Sequence, residues 1–264
     1  MERLLVLRLQ GQAVCAEVSL NGVPLARTSP AMPVLTLPIH EFTVAGDNLL
    51  ELVIQPPPPG SPAVPEPWIS DGQRGASLRL LLPRSGQLAH PQNARTLAQI
   101  DWAPAADEVV QLPHTLRQTV TLPITFPRWR WLDAPVVADP PAQVAAAATY
   151  LQGLALGLAR GDPEPLVLAS RLRLEELAQA YQRNLADDVG RLRLQVQQWH
   201  RQQPLKPPMP TTDTLRLRPV AGGRLLECLA PDGEPVLRSE LAGGGHAHWP
   251  LRLALIEGRF YVLR

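Results

Sequence analysis

The stretch Pro135-Val-Val-Ala-Asp-Pro-Pro141 separates two patterns of hydrophobicity in this chain of 264 residues. Before it, short apolar-polar alternations are separated by prolines, which is typical of strands that bury one face. After it, apolar residues recur three and four positions apart, which predicts helices, and the alternation returns only further on. We therefore predict two domains, an all-β sandwich over residues 1–134 and an α+β domain over 142–264, joined by a linker over 135–141.

The predicted first domain contains seven short alternating segments. They are Leu4–Leu9, Val14–Leu20, Val34–Ile39, Asn48–Ile54, Ser77–Leu82, Val109–Leu112 and Val120–Phe126. Asn21-Gly22 follows the second segment and supplies the two positive-φ positions of a tight hairpin turn. The run Pro56–Gly60 fits neither a helix nor a central strand, so we expect a long loop over Pro56–Gly75. Short strands separated by turns favour two packed sheets over a βαβ arrangement.

Two passages of this half each carry a short sequence motif at the end or the start of a predicted strand. Glu17–Leu25 carries Asn-Gly at the end of a strand, and Pro38–Ile54 carries Gly-x-Asn-x-Leu before the next strand. In these passages the sequence resembles the jelly-roll sandwiches of the galactose-binding-like class. The resemblance implies a jelly-roll-like arrangement in which Gly46 and Asn48 shape a turn, and it assigns no ligand residues.

Helices dominate the chain after the linker. Ala142–Arg160 reads as one helix, and Gly161-Asp162-Pro163 ends it and starts the next, with Asp162 as N-cap and Pro163 at the first helical position. Leu166–His200 continues as helix, with breaks near Ser170 and near Gly190 compatible with the pattern. Five alternating segments follow, namely Thr214–Arg218, Arg224–Leu229, Val236–Leu241, Leu251–Ile256 and Arg259–Leu263.

Two short sequence motifs accompany this order of helices followed by antiparallel strands. Leu156–Leu166 lies between the first two helices, and Gly258-Arg-Phe-Tyr261 lies in the closing strand pair. This half resembles the cone-shaped fold of the ketosteroid isomerase and SnoaL-like class, which implies helices packed on a curved antiparallel sheet. It departs from that class because the usual hairpin between the second and third helices is missing. The catalytic Asp and Tyr of the isomerases have no counterpart that we can assign.

Composition excludes several classes of partner. Lys and Arg total 25 against 24 Asp and Glu, so the chain has no excess charge to attract nucleic acid or anionic lipid. No segment reaches the ~18 uninterrupted apolar residues of a membrane span, and the amino-terminal apolar run is too short for a signal peptide. We therefore predict a cytoplasmic protein. Cys15 and Cys228 match no metal or redox spacing, and we expect both to be buried as small apolar residues.

The most unusual local sequence is Arg128-Trp129-Arg130-Trp131. In an extended segment the two tryptophans share one face and the two arginines share the other. Two interpretations are open. The tryptophans either form a stacking platform or interface anchor, since Trp and Arg are enriched at binding hot spots, or they seal the sandwich against the second domain while the arginines reach solvent.

Other candidate site residues are few. His246 and His248 alternate within a glycine-rich stretch, which favours a hairpin loop with solvated histidines, while binding of a metal or contact with a ligand, together with Trp249, stays open. Tyr181 lies on the helical face beside Glu176 and Asp187, either of which is a candidate to open into the cavity of a cone. We found no nucleophile elbow or phosphate loop, and Ser170 has no partner adjacent in sequence. We predict no cofactor and no bound metal.

These observations favour a non-catalytic bacterial protein that binds another protein. Adaptors and immunity proteins of secretion or toxin systems, such as type VI systems, are proteins of this general type. The first alternative is an enzyme or small-molecule binder that uses a cavity in the second domain. The second is carbohydrate binding by the sandwich, which requires Trp68, Trp129 or Trp131 to present an exposed ring. The sequence leaves the oligomeric state open.

Overall fold

The computed structural model describes residues 4–56, 68–84, 87, 89–122 and 126–264. Contacts within the chain group it into two compact units, Met1–Pro127 and Arg128–Arg264. Within the described residues the molecule consists mostly of antiparallel sheets with four α-helices, as the sequence predicts for a β-rich α+β chain. The predicted domain limits at 134 and 142 stay a prediction.

The first unit is built from ten strands. They are β1 (Val6–Gln12), β2 (Cys15–Leu20), β3 (Val23–Arg27), β4 (Val34–Pro38), β5 (Gly46–Gln55), β6 (Trp68–Ile69), β7 (Gly75–Pro83), β8 (Ala94–Trp102), β9 (Val109–Val110) and β10 (His114–Leu122) in the described part. One sheet has the order β4-β1-β7-β8 and another the order β10-β5-β2-β3, while β6 pairs with β9. The alternation of apolar residues makes each larger sheet bury one face.

A single hydrophobic cluster lies between these two sheets. Alternate residues of β1 and β7 from one sheet, and of β2 and β5 from the other, contribute to it. Fully buried members include Leu7, Leu9, Leu78, Leu80, Val18, Leu20, Leu52 and Ile54. Because successive strand residues face opposite sides, this pattern accounts for the predicted sandwich directly from the sequence.

The turns around Asn48 are fixed by side-chain hydrogen bonds. Asn21 and Gly22 have φ of 53° and 73°, as the predicted β2–β3 hairpin turn requires. Asn48 is fully buried; its Oδ1 accepts from the backbone N–H of Val44 at 2.8 Å and from Nδ2 of Asn21 at 2.9 Å. Its Nδ2 donates to the carbonyls of Val44 and Gly46. Two asparagines therefore pair otherwise orphaned backbone groups.

Sequence reasoning missed β8 and misplaced β10. In Ala94–Trp102 only Ala98, Ile100 and Trp102 alternate as buried residues, so the strand signal is confined to its second half. The predicted strand Val120–Phe126 has both of its limits wrong. The observed strand β10 begins earlier, at His114, and Phe126 lies outside any strand. Most of β10 alternates between half-buried and exposed residues, which weakens the hydrophobic signal.

Parts of the predicted loop and strands near it differ as well. Within Pro56–Gly75, residues 57–67 lie outside the described residues, Trp68–Ile69 form β6, and Gly75 begins β7. Residues 123–125 of the predicted last strand also lie outside the described range. Cys15 is only half-buried, contrary to expectation, whereas Cys228 is buried and burial raises the pKa of its thiol.

Four helices occur in the described part of the second unit. They are α1 (Val144–Ala159), α2 (Glu164–Ala169), α3 (Arg171–Ala180) and α4 (Leu185–Gln202). The break near Ser170 is confirmed between α2 and α3. The break near Gly190 is wrong: Gly190 lies inside α4, and the interruption falls earlier because Asn184 caps α4 by accepting from the N–H of Ala186. Pro163 occupies the N-cap of α2, and Asp162 Oδ1 accepts from the Glu164 N–H.

Six strands follow the helices. They are β11 (Arg216–Val220), β12 (Leu225–Leu229), β13 (Leu237–Glu240), β14 (His246–Trp249), β15 (Arg252–Ile256) and β16 (Arg259–Val262). One sheet has the order β11-β12-β15-β16, and β13 pairs with β14. Helix α1 contributes Leu151 and Leu158 to a second hydrophobic cluster, which also buries Cys228 of β12 and Leu253 of β15. The segment before α1 joins this unit through a hydrogen bond from the Val137 N–H to the Gly223 carbonyl.

Two glycines of the helical part give a matched prediction. Gly161 has a φ of +70°, and an added Cβ would lie 2.6 Å from Cδ2 of His200, whereas a Cβ on Gly190 meets nothing within 4 Å. We expect Gly161→Ala to lower the free energy of unfolding by about 2 kcal/mol, because the left-handed conformation and the ring both oppose it. Gly190→Ala is expected to raise it by about 1 kcal/mol through helix propensity. Urea unfolding measures both, and equal effects would contradict the assignment.

Candidate functional site

The tryptophan pair predicted on an extended segment lies instead at a 3₁₀ turn over Arg130–Leu132. Trp129 and Trp131 are buried, with 0% and 2% of their surface exposed. The guanidinium carbon of Arg264 lies 5.6 Å from the centre of the Trp129 ring and 6.0 Å from that of Trp131, within range of cation–π attraction. The two rings and Arg264 therefore form one buried cluster in the second unit.

Glu176 connects this cluster to helix α3. Its Oε1 accepts from the backbone N–H of Arg130 at 2.7 Å, and its Oε2 accepts from Nη1 of Arg264 at 2.5 Å. The side chains of Glu176 and Arg264 are 5% and 1% exposed, so the pair is withdrawn from solvent. The hypothesis that Glu176 opens into a cavity is therefore wrong, because its carboxylate is engaged in a buried ion pair.

The arginines of the same segment lie at the surface. The Arg130 side chain binds the Glu175 carboxylate at 2.9 Å and the Leu172 carbonyl at 3.1 Å. Arg128 forms an exposed pair with Asp133, and the hydrogen bond from its guanidinium lowers the pKa of that carboxyl. A stacking platform needs an exposed ring, and none of the three candidate tryptophans, Trp68 included, is more than 6% exposed.

Tyr181 and Asp187 do not come together in one pocket. Tyr181 follows the last residue of α3 and is half-buried, with the guanidinium carbon of Arg183 lying 4.9 Å from its ring centre. Asp187 is exposed in the first turn of α4. The chain turns between α3 and α4, so the continuous helical face on which the sequence expectation rests does not exist.

His246 and His248 lie on strand β14, and the expected hairpin loop at these residues is wrong. Pairing with β13 turns both imidazoles outward and buries Ala247 and Trp249 on the opposite face. The two rings are 5.8 Å apart, and Nδ1 of His248 lies 3.9 Å from a carboxylate oxygen of Glu234. Among the residues that the structure describes, no three His, Cys, Asp or Glu side chains group as a metal site.

A cavity of about 190 Å³ lies beside β14 and is partly open to solvent. Its wall comes from α2, α3, α4 and the segment that runs from β14 to β15. The lining residues are Leu166, Ser170, Arg173, Leu174, Leu177, Leu192, His248, Trp249, Pro250 and Leu251. Five leucines make most of this wall apolar, as is usual for ligand pockets. Of the sequence-predicted site residues, the structure brings His248 and Trp249 to it.

Besides His248, the polar groups of the cavity come from Ser170 and Arg173, which the sequence did not single out as site residues. Ser170 is only 3% exposed, and its side chain makes no cap hydrogen bond to α3. Nη1 of Arg173 donates to the Pro250 carbonyl at 3.2 Å, which ties α3 to the segment after β14. The predicted helix break at Ser170 was the one local signal for this position. Among the described residues of the lining none is acidic.

One segment of the described chain, Pro141–Ala159, is long and apolar enough to cross a membrane by length and composition. Its most apolar 18 residues have a mean hydropathy of 1.2, and 39% of them are buried inside the molecule. Ala147, Leu151 and Leu158 from this segment belong to the hydrophobic cluster of the second unit. The predicted cytoplasmic location stays a prediction.

Comparisons with protein-family models, with curated proteins and with solved structures each gave no significant match. No relative therefore supplies a substrate, a partner or a set of site residues for this chain.

Proposed function

We propose that this chain is a non-catalytic bacterial protein that binds another protein, and that the cavity of the second unit receives one apolar side chain of the partner. The cavity beside β14 carries this proposal. It has room for a single large side chain, since an engineered apolar cavity of about 150 Å³ holds benzene. Binding hot spots commonly consist of one large side chain seated in a pocket of this kind.

The finer features of the fold belong to the same proposal. The two packed sheets around Asn48 support a jelly-roll-like sandwich as the first of two domains. Helices followed by an antiparallel sheet, with a cavity beside them, support a cone-like second domain of the SnoaL-like kind. On this reading the chain is a cytoplasmic adaptor or immunity protein of a secretion or toxin system, such as a type VI system. Both resemblances concern folds that serve as scaffolds for many functions.

Filling the cavity tests the proposed function. Affinity purification of the tagged full chain from its native cells should recover a stoichiometric protein partner, and Ser170→Leu should abolish that recovery by filling the cavity. Gln179→Leu, which adds the same side chain at an exposed position of α3, is the matched control and should recover the partner. Leu177→Phe, at a second lining position, repeats the test if Ser170→Leu does not fold. Equal recovery by the filled variants, or no stoichiometric partner at all, would overturn the proposal.

A second candidate function is hydrolysis in the same cavity. Ser170 and His248 both line it, and Nδ1 of His248 lies 3.9 Å from a carboxylate oxygen of Glu234, so the three kinds of group that a hydrolase triad uses occur in one region of the unit. The Ser170 hydroxyl makes no hydrogen bond to His248, which favours binding over catalysis. Release of nitrophenol from a short-chain nitrophenyl ester, lost in Ser170→Ala and retained in His246→Ala, would instead establish the enzyme.

A further inference from the structure

We infer that the outward face of the sheet β4-β1-β7-β8 binds a phosphate group between Arg8 and Arg79. The inference goes beyond the proposed function, because this site lies in the first unit and uses no residue of the cavity beside β14. The leucines on either side of each arginine belong to the hydrophobic cluster between the two sheets. Since successive strand residues face opposite sides, Arg8 and Arg79 point away from that cluster.

The two arginines are directly opposite each other in the antiparallel pair of β1 and β7. Cβ atoms of opposed residues lie about 4.5–5.5 Å apart, and like charges in this position destabilise a sheet. Among the residues that the structure describes, no acidic side chain forms an ion pair with Arg8 or Arg79. The sheet therefore holds two adjacent positive charges that this part of the chain does not neutralise.

A row of four paired residues crosses the sheet at this position, and we call it the arginine row: Thr36, Arg8, Arg79 and Gln99. Within this row and the rows on either side of it, the one acidic residue of the described strands is Asp101. It lies on β8 and accepts a hydrogen bond from the Gln99 amide. Two arginines against one aspartate leave this part of the face positive, so it is complementary to an anion.

Arg79 also has a donor that the described residues do not satisfy. Its Nε atom is buried and has no hydrogen-bond partner in the described part of the chain. Native proteins rarely leave a buried donor without an acceptor, because its desolvation costs free energy. Val6 and Leu81, paired in the neighbouring row, are both buried, so the arginines border apolar surface. An oxyanion between the arginines gives Nε an acceptor when the guanidinium turns toward it.

The number of charges and donors favours a phosphate group over a carboxylate. A phosphate monoester carries a charge of about −1.5 to −2 near pH 7, which matches two guanidiniums. Each guanidinium binds two oxygens side by side, and a carboxylate has only two oxygens in all. Thr36 and Gln99, at the ends of the arginine row, are exposed, which leaves space for the molecule that carries the phosphate.

Isothermal titration of the full chain in a chloride buffer tests the inference. The probes are inorganic phosphate, acetate, and an acetylated and amidated pentapeptide of glycine with phosphoserine or serine at its centre. We expect inorganic phosphate to bind at least about tenfold more tightly than acetate, because its further oxygens and charge engage the second guanidinium. Tighter binding of the phosphopeptide than of inorganic phosphate would assign the site to a phosphorylated protein segment, and binding of inorganic phosphate alone would assign it to the free ion. The serine peptide should not bind.

Substitutions of the arginines locate the bound phosphate. Arg8→Gln and Arg79→Gln should each weaken phosphate binding by about tenfold or more, because a charge-assisted contact is lost. Arg95→Gln removes the same charge from an exposed position of β8 opposite Leu82. This matched control should change the affinity by less than about twofold, since solvent and salt screen the charge.

A charge reversal separates loss of the site from loss of the fold. Arg8→Glu should abolish phosphate binding and at the same time raise the resistance to urea in chloride, because the new carboxylate faces Arg79. Absence of phosphate binding to the unchanged protein, or equal affinity for phosphate and acetate, would overturn the inference. Phosphate binding that survives both Arg8→Gln and Arg79→Gln would overturn it as well, since the ion would then bind elsewhere. Capture of a protein partner through the cavity is decided independently by Ser170→Leu.

Discussion

Glu176→Ala is expected to lower the free energy of unfolding by about 3–5 kcal/mol, because it leaves a buried charge without its counter-ion. The Arg264 guanidinium is 1% exposed and lies against Trp129 and Trp131, where water cannot replace the lost carboxylate. The substitution also removes the acceptor of the Arg130 backbone N–H. Urea unfolding of the full chain, followed by tryptophan fluorescence, measures the loss.

The neighbouring residue provides the control for this experiment. Glu175→Ala breaks ion pairs with Arg130 and Arg171, whose side chains are 44% and 75% exposed, so solvent screens the loss and we expect a change below about 1 kcal/mol. Replacing both members of the buried pair, Glu176→Leu with Arg264→Met, should recover much of the loss, since it leaves no unpaired buried charge. Similar effects of the two glutamate substitutions would contradict the burial of the pair.

Asn48→Ala is expected to lower the free energy of unfolding by about 3 kcal/mol or more, because it leaves several buried backbone groups without partners. The lost bonds are those from the Val44 N–H and to the carbonyls of Val44 and Gly46, together with the contact to Asn21. No water reaches the fully buried side chain to replace them. Thermal and urea unfolding measure the effect.

Two further variants distinguish the loss of the Asn48 hydrogen bonds from the effect of any substitution in this turn. Asp47→Ala changes the adjacent exposed residue and should alter stability by less than about 0.5 kcal/mol. Asn48→Asp keeps an oxygen for the Val44 N–H but loses both donors, so we expect a loss as large as that of Asn48→Ala through burial of a charge. If Asn48→Ala is no worse than Asp47→Ala, the hydrogen-bonded cluster does not hold the turn.

Turns and helix breaks show how much of this fold local sequence signals predict. Asn21-Gly22 predicts its hairpin because the backbone conformation of a two-residue turn depends on those two residues. The helix break at Ser170 was predictable in the same way, whereas the break placed at Gly190 was wrong. A single glycine weakens a helix by only about 1 kcal/mol, and the remaining residues of α4 outweigh it.

Strands with one weakly buried face were harder to predict. The β8 strand has a clear alternation only over its second half, and β14 lies in a glycine-rich stretch that suggests a loop. Both strands form because a neighbouring strand supplies hydrogen bonds, β7 to β8 and β13 to β14. Pairing of this kind depends on residues that are distant in sequence, so no local window contains the signal.

The sequence by itself determined the change from strands to helices near Pro135–Pro141, most strand positions and the hairpin at Asn21. Periodicity and turn chemistry are properties of neighbouring residues, which is why these features were predictable. Only the tertiary structure decided that Glu176 pairs with Arg264, 88 positions away, and that Arg173 reaches Pro250, 77 positions away. The cavity beside β14 belongs to this second group. Its wall joins three helices to a strand segment, and that proximity arises from packing of the whole unit and not from any local pattern.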